Sequence, residues 1–442
     1  MRIFILGFFL LLTSAQAFAN KVNGRIELGG YTATERFVDT TGGSQENDFQ
    51  LFTFRSFLSV SEIGDSKYEF NSDVRDKYDF FDTLNKAQLT LDPSNTFQVQ
   101  QLNIRKPISG DSGMGYTVGR TAVPEAGGAF NDGLLVKYHT QSYIDYAAFG
   151  GLNPKIPGQA HLDFNSKATT YGVFLSYQPK NVEWNKSFYL THALVSQADD
   201  GHTDRQYLFH NLSYQWRNNS RLITFLYLDF IPRTYIQEGS VFWQQEHSDY
   251  FYSKLSLLGV DSIGYVHIQG KLDKLDPSPY KQASLAFDYR FNPLVTWELA
   301  TLYGHRNFDG LSKTEYALSM ANQRSFGPNW ATNFTIGHRN NFVSNDEFGR
   351  VGIGYYSRAW ETFANIEAGI EKYTQVSTTH HPLVTELGIT HFWSKQLYLT
   401  GSFERDANEE VTILSVFFKL GYRYGNREIP PLRDGSPVKG SL

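Results

Sequence analysis

The chain has 442 residues, of which 41% are hydrophobic and 16% aromatic, with no cysteine and a formal charge of −5. Without cysteine there are no disulfides, thiolate metal sites, cysteine nucleophiles or lipoprotein anchor. Past the N-terminal stretch no apolar run approaches the ~20 residues of a spanning helix. A weakly acidic chain with no basic tract gives nucleic acid nothing to follow.

The first element is an address. Arg2 precedes an apolar core at 3–12, followed by Ala15-Gln16-Ala17 and Ala17-Phe18-Ala19. This pattern is a secretory signal peptide, residues 1–19, cut after Ala19. A strand follows at once, 22–34, with Ile26 and Leu28 opposite Arg25 and Glu27. No stretch long enough to form a plug domain precedes it.

One pattern then repeats: a strand-length segment, a short turn, another strand, a longer polar loop. The short turns fall at 62–66, 217–220, 259–261, 292–293, 327–329, 358–360 and 394–396. Glycine, asparagine, aspartate and proline supply the turn geometry in most of them. The longer loops fall at 36–47, 79–95, 121–132, 153–168, 196–204, 232–247, 273–280, 307–313, 340–347 and 374–382. Outer-membrane barrels sort their connections this way, short on the periplasmic side and long outside.

The strands alternate with a period of two. In 67–77, Tyr68, Phe70 and Val74 oppose Glu69, Asn71, Asp73, Arg75 and Lys77. In 281–291, Leu285, Phe287 and Tyr289 oppose Ser284, Asp288 and Arg290. In 295–306, Trp297, Leu299 and Tyr303 oppose Glu298, Gly304 and Arg306, and in 361–371, Ile366 and Ile370 oppose Glu361, Glu367 and Glu371. The segment 222–231 is apolar on both faces and ambiguous. In the last run, 411–424, Leu414, Val416, Phe418, Leu420, Tyr422 and Tyr424 oppose Ser415, Lys419, Gly421 and Arg423. Trp216, Trp297, Trp330, Trp360 and Trp393 sit near strand ends, as interfacial girdle residues do.

The fold expected is therefore all-β. It is a transmembrane antiparallel up-and-down barrel of about 22 strands, within roughly 18 to 24, spanning 20–424 with no plug. Both termini are then periplasmic. Residues 425–442 read as a flexible tail rich in proline and glycine. Tyr424 then stands as the terminal aromatic that the barrel-assembly machinery reads.

Residues 115–151 carry a more specific pattern. A strand ends in Gly119-Arg120, a glycine-rich loop follows, and Asn131-Asp132-Gly133 opens the next strand. This order resembles the substrate-specific porins of Gram-negative outer membranes, and loosely their alginate-export-like group. The resemblance implies a lumen lined by arginines and acids and narrowed by an inward loop. It carries Arg120 and Asp132 over as lining residues. Thr121 stands where a glutamine often follows the Gly-Arg pair, so no substrate carries over.

Parity points Arg75, Arg105, Lys137, Arg290 and Arg306 inward, together with Glu69, Glu298 and Glu367. Strict alternation would send Arg120 outward, although a long side chain at a strand end can reach round to water. The expected arrangement is a cationic strip of Arg105, Arg120 and Lys137 facing Asp132 or other loop acids across the pore. The loop 121–132, with Pro124 and Gly127-Gly128, is expected to fold inward. The acidic run 199–204 reads as a solvated loop, and His380-His381 lacks a third metal ligand. No cofactor, metal or enzymatic nucleophile is expected. The reading is a non-enzymatic channel for passive diffusion of small polar or ionic solutes or oligosaccharide. The alternative is a closed barrel acting through its outer loops. The partners implied are outer-membrane lipid and lipopolysaccharide, the assembly machinery and the solutes; the sequence does not set the oligomeric state.

Overall fold

The computed structural model describes residues 19–38, 43–63, 66–79, 95–154, 167–179, 187–231, 234–260, 280–306, 309–342, 344–373 and 378–425. Of the expected leader, 1–19, all but Ala19 lies outside them, and of the expected tail, 425–442, all but Gly425; those two residues are the ends of the first and last strands. The strands begin with β1 (Ala19–Val38), β2 (Ser44–Ile63), β3 (Glu69–Asp79), β4 (Asn95–Lys106), β5 (Gly113–Val123) and β6 (Ala129–His139). Next come β7 (Ile144–Leu152), β8 (Thr169–Tyr177), β9 (Ser187–Asp199), β10 (His202–Arg217), β11 (Ser220–Ile231) and β12 (Tyr235–Ser248). Then follow β13 (Phe251–Val260), β14 (Tyr280–Asn292), β15 (Val295–Arg306), β16 (Ser312–Asn322) and β17 (Trp330–Asn340). The last are β18 (Ser344–Tyr356), β19 (Trp360–Tyr373), β20 (Leu383–Phe392), β21 (Leu397–Ala407) and β22 (Val411–Gly425). A two-residue stub, Thr379–His380, also pairs with β19.

Each strand pairs antiparallel with the next, and β22 returns to β1 from Asn23↔Gly425 to Phe37↔Val411. The result is a closed 22-strand barrel, inside the expected range. Closure leaves no sheet edge, the condition for a sheet surrounded by hydrocarbon.

The pleat sorts the side chains. On β22, Leu414, Val416, Phe418, Leu420 and Tyr422 are exposed on the outer face. Their neighbours Ser415, Phe417, Lys419 and Arg423 point inward. The same outward row continues through Leu299, Tyr316, Ile336, Val351, Ile366 and Leu387. The five girdle tryptophans named above all lie at the end of the barrel where the described chain starts and stops.

Three expected connections are corrected. Residues 196–204 are not a long loop: β9 and β10 run to a two-residue turn, Asp200-Gly201, both with positive φ (50° and 80°). An Asp-Gly pair suits that mirror-image hairpin turn. Residues 232–247 are not a loop either, because 235–248 is strand β12, hydrogen-bonded on both sides. Its Glu238 and Gly239 read as turn chemistry, yet Ser240, Phe242 and Gln244 alternate with Val241 and Trp243. The turn expected at 259–261 fails with it, since Gly259 and Val260 pair with Lys281 and Tyr280. Most of the expected loops at 79–95, 153–168 and 273–280, and residues 374–377 of that at 374–382, lie outside the described residues.

Candidate functional site: a hairpin folded into the barrel

The β5–β6 hairpin leaves the wall partway along. β5 pairs with β4 only as far as Leu102↔Arg120, and β6 with β7 only as far as Asp132↔Leu152. Beyond those positions the hairpin keeps its own register, Thr121↔Asn131 to Val123↔Ala129. It turns through a short 3-10 segment, Pro124–Ala126, then Gly127 and Gly128 at φ 70° and 76°.

The bend is made by glycine. Gly119 and Gly133 face each other in the register, one step before Arg120 and Asp132. Gly119 has φ +114°, and a Cβ there would lie 2.4 Å from the Leu102 carbonyl oxygen. A positive φ of this kind is freely available only to glycine. A Cβ on Gly133 would meet the Gly150 carbonyl at 2.2 Å, so both strands can cross their neighbours closely.

Arg120 fills the gap that the bend opens. Its Nε and Nη2 donate to the two oxygens of Asp132 at 2.7 and 2.5 Å. Its Nη1 donates to the Val99 carbonyl at 3.1 Å, on the strand that β5 has just left. Asn103 Nδ2 donates to the Arg120 carbonyl at 3.1 Å. The two side chains are only 2% and 4% exposed. A planar guanidinium fork matches a carboxylate and still has a donor to spare.

Past the bend, the tip lies against the inner faces of β7–β11. Val123, Ala126 and Ala129 are buried in one cluster with Phe149, Phe174, Val195, Tyr207 and Phe209, and Phe225 and Tyr227 pack against it. All these wall residues share parity with inward positions. Tyr207 Oη donates to the Ala126 carbonyl at 3.1 Å and Tyr227 Oη to the Gly127 carbonyl at 2.5 Å. Thr191 Oγ1 lies 3.2 Å from the Glu125 carbonyl. The loop expected to fold inward is thus an ordered hairpin tip on one side of the lumen.

The expected site residues fall as follows. Lys137 binds Glu125 of the tip at 2.8 Å and Asp145 at 3.6 Å. Arg105 forks onto Glu69, its register partner. Glu298 takes Lys254 at 2.7 Å, and Lys254 also reaches Asp288 at 2.8 Å. Arg290 stacks over Tyr252 at 5.1 Å. Arg306 pairs with Asp309 and lies 4.0 Å from the Phe342 ring. Glu367 takes Arg350 and, at 3.6 Å, Arg339. Arg75 faces inward opposite Arg55 in the register, and Arg55 binds Asp73.

The expected cationic strip does not form against Asp132; of its members, Lys137 does pair with another acid of the loop, Glu125. Asp132 sits beside Arg120 on the adjacent strand, both are buried, and Arg105 and Lys137 each have their own acid. Strict alternation also failed at Arg120, because Gly119 breaks the pleat just before it.

Glu125, Thr191, Tyr207 and Tyr227 were not foreseen. A signal existed: β11, apolar on both faces, is the strand whose inner face the hairpin helps cover.

No family model matches this chain, and no curated protein matches it. Among solved structures, OccAB4 of Acinetobacter baumannii is 7% identical, with a TM-score of 0.46 over 92% of this chain and 99% of that one. The translocation pore of the P pilus usher PapC is 8% identical, with a TM-score of 0.49 over 91% and 100%. A BenF-like porin of Pseudomonas fluorescens Pf-5 is 8% identical, with a TM-score of 0.44 over 92% and 100%.

Proposed function

We propose that the protein is an outer-membrane channel for passive diffusion of small polar or ionic solutes, with the β5–β6 hairpin as its constriction. The observation that carries this is the one-sided seat of the hairpin. It covers the inner faces of β7–β11, while charged side chains line the sectors β14–β22 and β1–β4. A ring of this strand number is wide enough to hold water unless plugged. Glycines at the bend and a buried ion pair at its base are what an ordered constriction needs.

The charged walls mix both signs as ion pairs, which suits hydrated solutes and weak ion selectivity. Arg105, Lys137, Arg75, Arg290, Arg306, Glu69, Glu298 and Glu367 line the path in this reading. Arg120 and Asp132 hold the constriction without touching the solute. The chain has no enzymatic role in this reading. The outer girdle faces lipid and lipopolysaccharide, both termini are periplasmic, the leader is removed, and Tyr424 serves the assembly machinery.

Single-channel recording in a planar bilayer tests the reading. The purified protein is expected to conduct, and replacing 122–130 by a two-residue turn is expected to raise the conductance. A barrel that never conducts overturns the channel. A conductance unchanged by the replacement overturns the constriction.

A further inference from the structure

Beneath the hairpin tip lies a titratable cluster. His139 Nδ1 is 2.5 Å from Asp145 Oδ1, across the β6–β7 register. Asp145 also faces Lys137 at 3.6 Å and accepts from Ser176 of β8 at 3.4 Å. Lys137 in turn holds Glu125 of the tip at 2.8 Å. Tyr143, in the β6–β7 turn, lies 6.4 Å from the His139 ring. From β9, Tyr189 feels the charges of both Glu125 and Asp145.

His139 Nε2 is buried, with no hydrogen-bond partner among the described residues. With Nδ1–H given to the carboxylate, Nε2 carries the imidazole's lone pair, the position at which a proton adds. The side chains of Glu125, Lys137 and Asp145 remain between 21% and 25% exposed, so ions in the lumen feel them. Of the other described imidazoles on the strands, His192, His210, His247, His305, His338 and His391 share parity with outward positions, and His202 is exposed beside the Asp200-Gly201 turn. His380 and His381 sit at the rim with Glu409 and Glu410.

We infer that His139 is a specificity-determining residue: its protonation sets the net charge beside the constriction and makes the ion preference of the channel depend on pH. This rests on the channel reading above. With a neutral imidazole, Glu125, Lys137 and Asp145 leave one net negative charge beside the tip. With an imidazolium that charge is cancelled. Acidification therefore lowers the preference for cations while the hairpin stays seated, since its tyrosine and apolar contacts do not titrate in this range.

The test is the reversal potential of the full chain in a KCl gradient. Recordings are made at about pH 8 and 5.5, on either side of the range in which imidazoles in general change charge. One charge within a Debye length of the path is expected to lower the cation-to-anion permeability ratio roughly twofold on acidification. His139→Asn keeps an N–H toward Asp145 but gains no proton, so its ratio is expected to stay at the alkaline value. His139→Lys is expected to hold the acid value at both pH values. An unchanged wild-type ratio overturns the inference. So does a shift that persists in His139→Asn, or one abolished only by the rim pair His380→Gln and His381→Gln. A protein that conducts but ignores pH overturns this inference alone; one that never conducts overturns the channel.

Discussion

Two arginine–carboxylate pairs face the same lumen and do different work. Arg120–Asp132 sits where the hairpin leaves the wall, 2% and 4% exposed, with a third bond to a backbone carbonyl. Arg350–Glu367 sits on the open wall of β18 and β19, 52% and 15% exposed, and shares Glu367 with Arg339. The chemistry is the same and the solvent is not. Removing one partner of a buried pair strands a charge in a poor dielectric, whereas an exposed charge is rehydrated. The buried pair fixes a shape; the wet pair sets a local field.

The sharpest way to break that comparison is to truncate each arginine in turn. Arg120→Ala is expected to destabilise the hairpin region by about 3–5 kcal/mol, because Asp132 is left buried and unpaired. Heat-modifiability on a denaturing gel would read it, with the transition moving to lower temperature. Arg120→Met with Asp132→Leu is expected to recover part of the loss. Arg350→Ala is expected to cost less than about 1 kcal/mol. Equal losses from the two alanine variants would sink the distinction.

Glycine at the bend gives the next effect. Gly119→Ala forces an L residue to φ +114° against the Leu102 carbonyl. A strained backbone position of this kind costs of order 1–3 kcal/mol, with the clash adding to it. Gly128→Ala, at φ +76° with open space around its Cβ, is expected to lose only the strain. Noisy or enlarged conductance in the first variant and not in the second would mark Gly119 as the pivot.

Smaller still is the tether. Tyr227→Phe removes the bond to the Gly127 carbonyl and keeps the ring packed on the tip. A loss of about 0.5–1.5 kcal/mol is expected, with flicker in the open current as its readout. An unchanged trace and melting transition would mean the apolar contacts hold the tip alone.

The smallest expected effect lies at the rim, away from both walls. The side-chain and backbone hydrogen bonds of His381 hold the Glu409 carboxyl down to about 2. A carboxyl lowered by folding contributes fully above its ordinary range and is lost as pH falls toward that lowered value. The rim contact is therefore expected to persist at pH 7 and to loosen only in strong acid. Glu409→Gln should remove that dependence with little change at neutral pH, as NMR titration of His381 would show.

Much of the barrel was legible because a sheet with an apolar outer face and a polar inner face imposes a period of two that the residues display directly. The alternation in 411–424, 281–291 and 361–371 is the one the strands adopt, and the strand number follows from their spacing. Strand β12 was not legible because a glutamate and a glycine near its start, Glu238 and Gly239, imitate a turn. Nothing local shows that they lie on opposite faces of a paired strand. The inward hairpin was anticipated from its glycines and from the resemblance, but its seat was not.

What the sequence determined by itself is the alternation and the inward parity of Lys137, Arg105, Glu298 and Glu367, all of which follow from residues two apart. Only the tertiary structure decided which of those charges stay in water. That depends on where the β4–β5 ladder stops, on Gly119 and Gly133 meeting in register, and on Tyr207 and Tyr227 of other strands receiving the tip. Burial of Arg120 and Asp132 is a property of those non-local contacts, because alternation assigns a side of the sheet and does not say what will cover it.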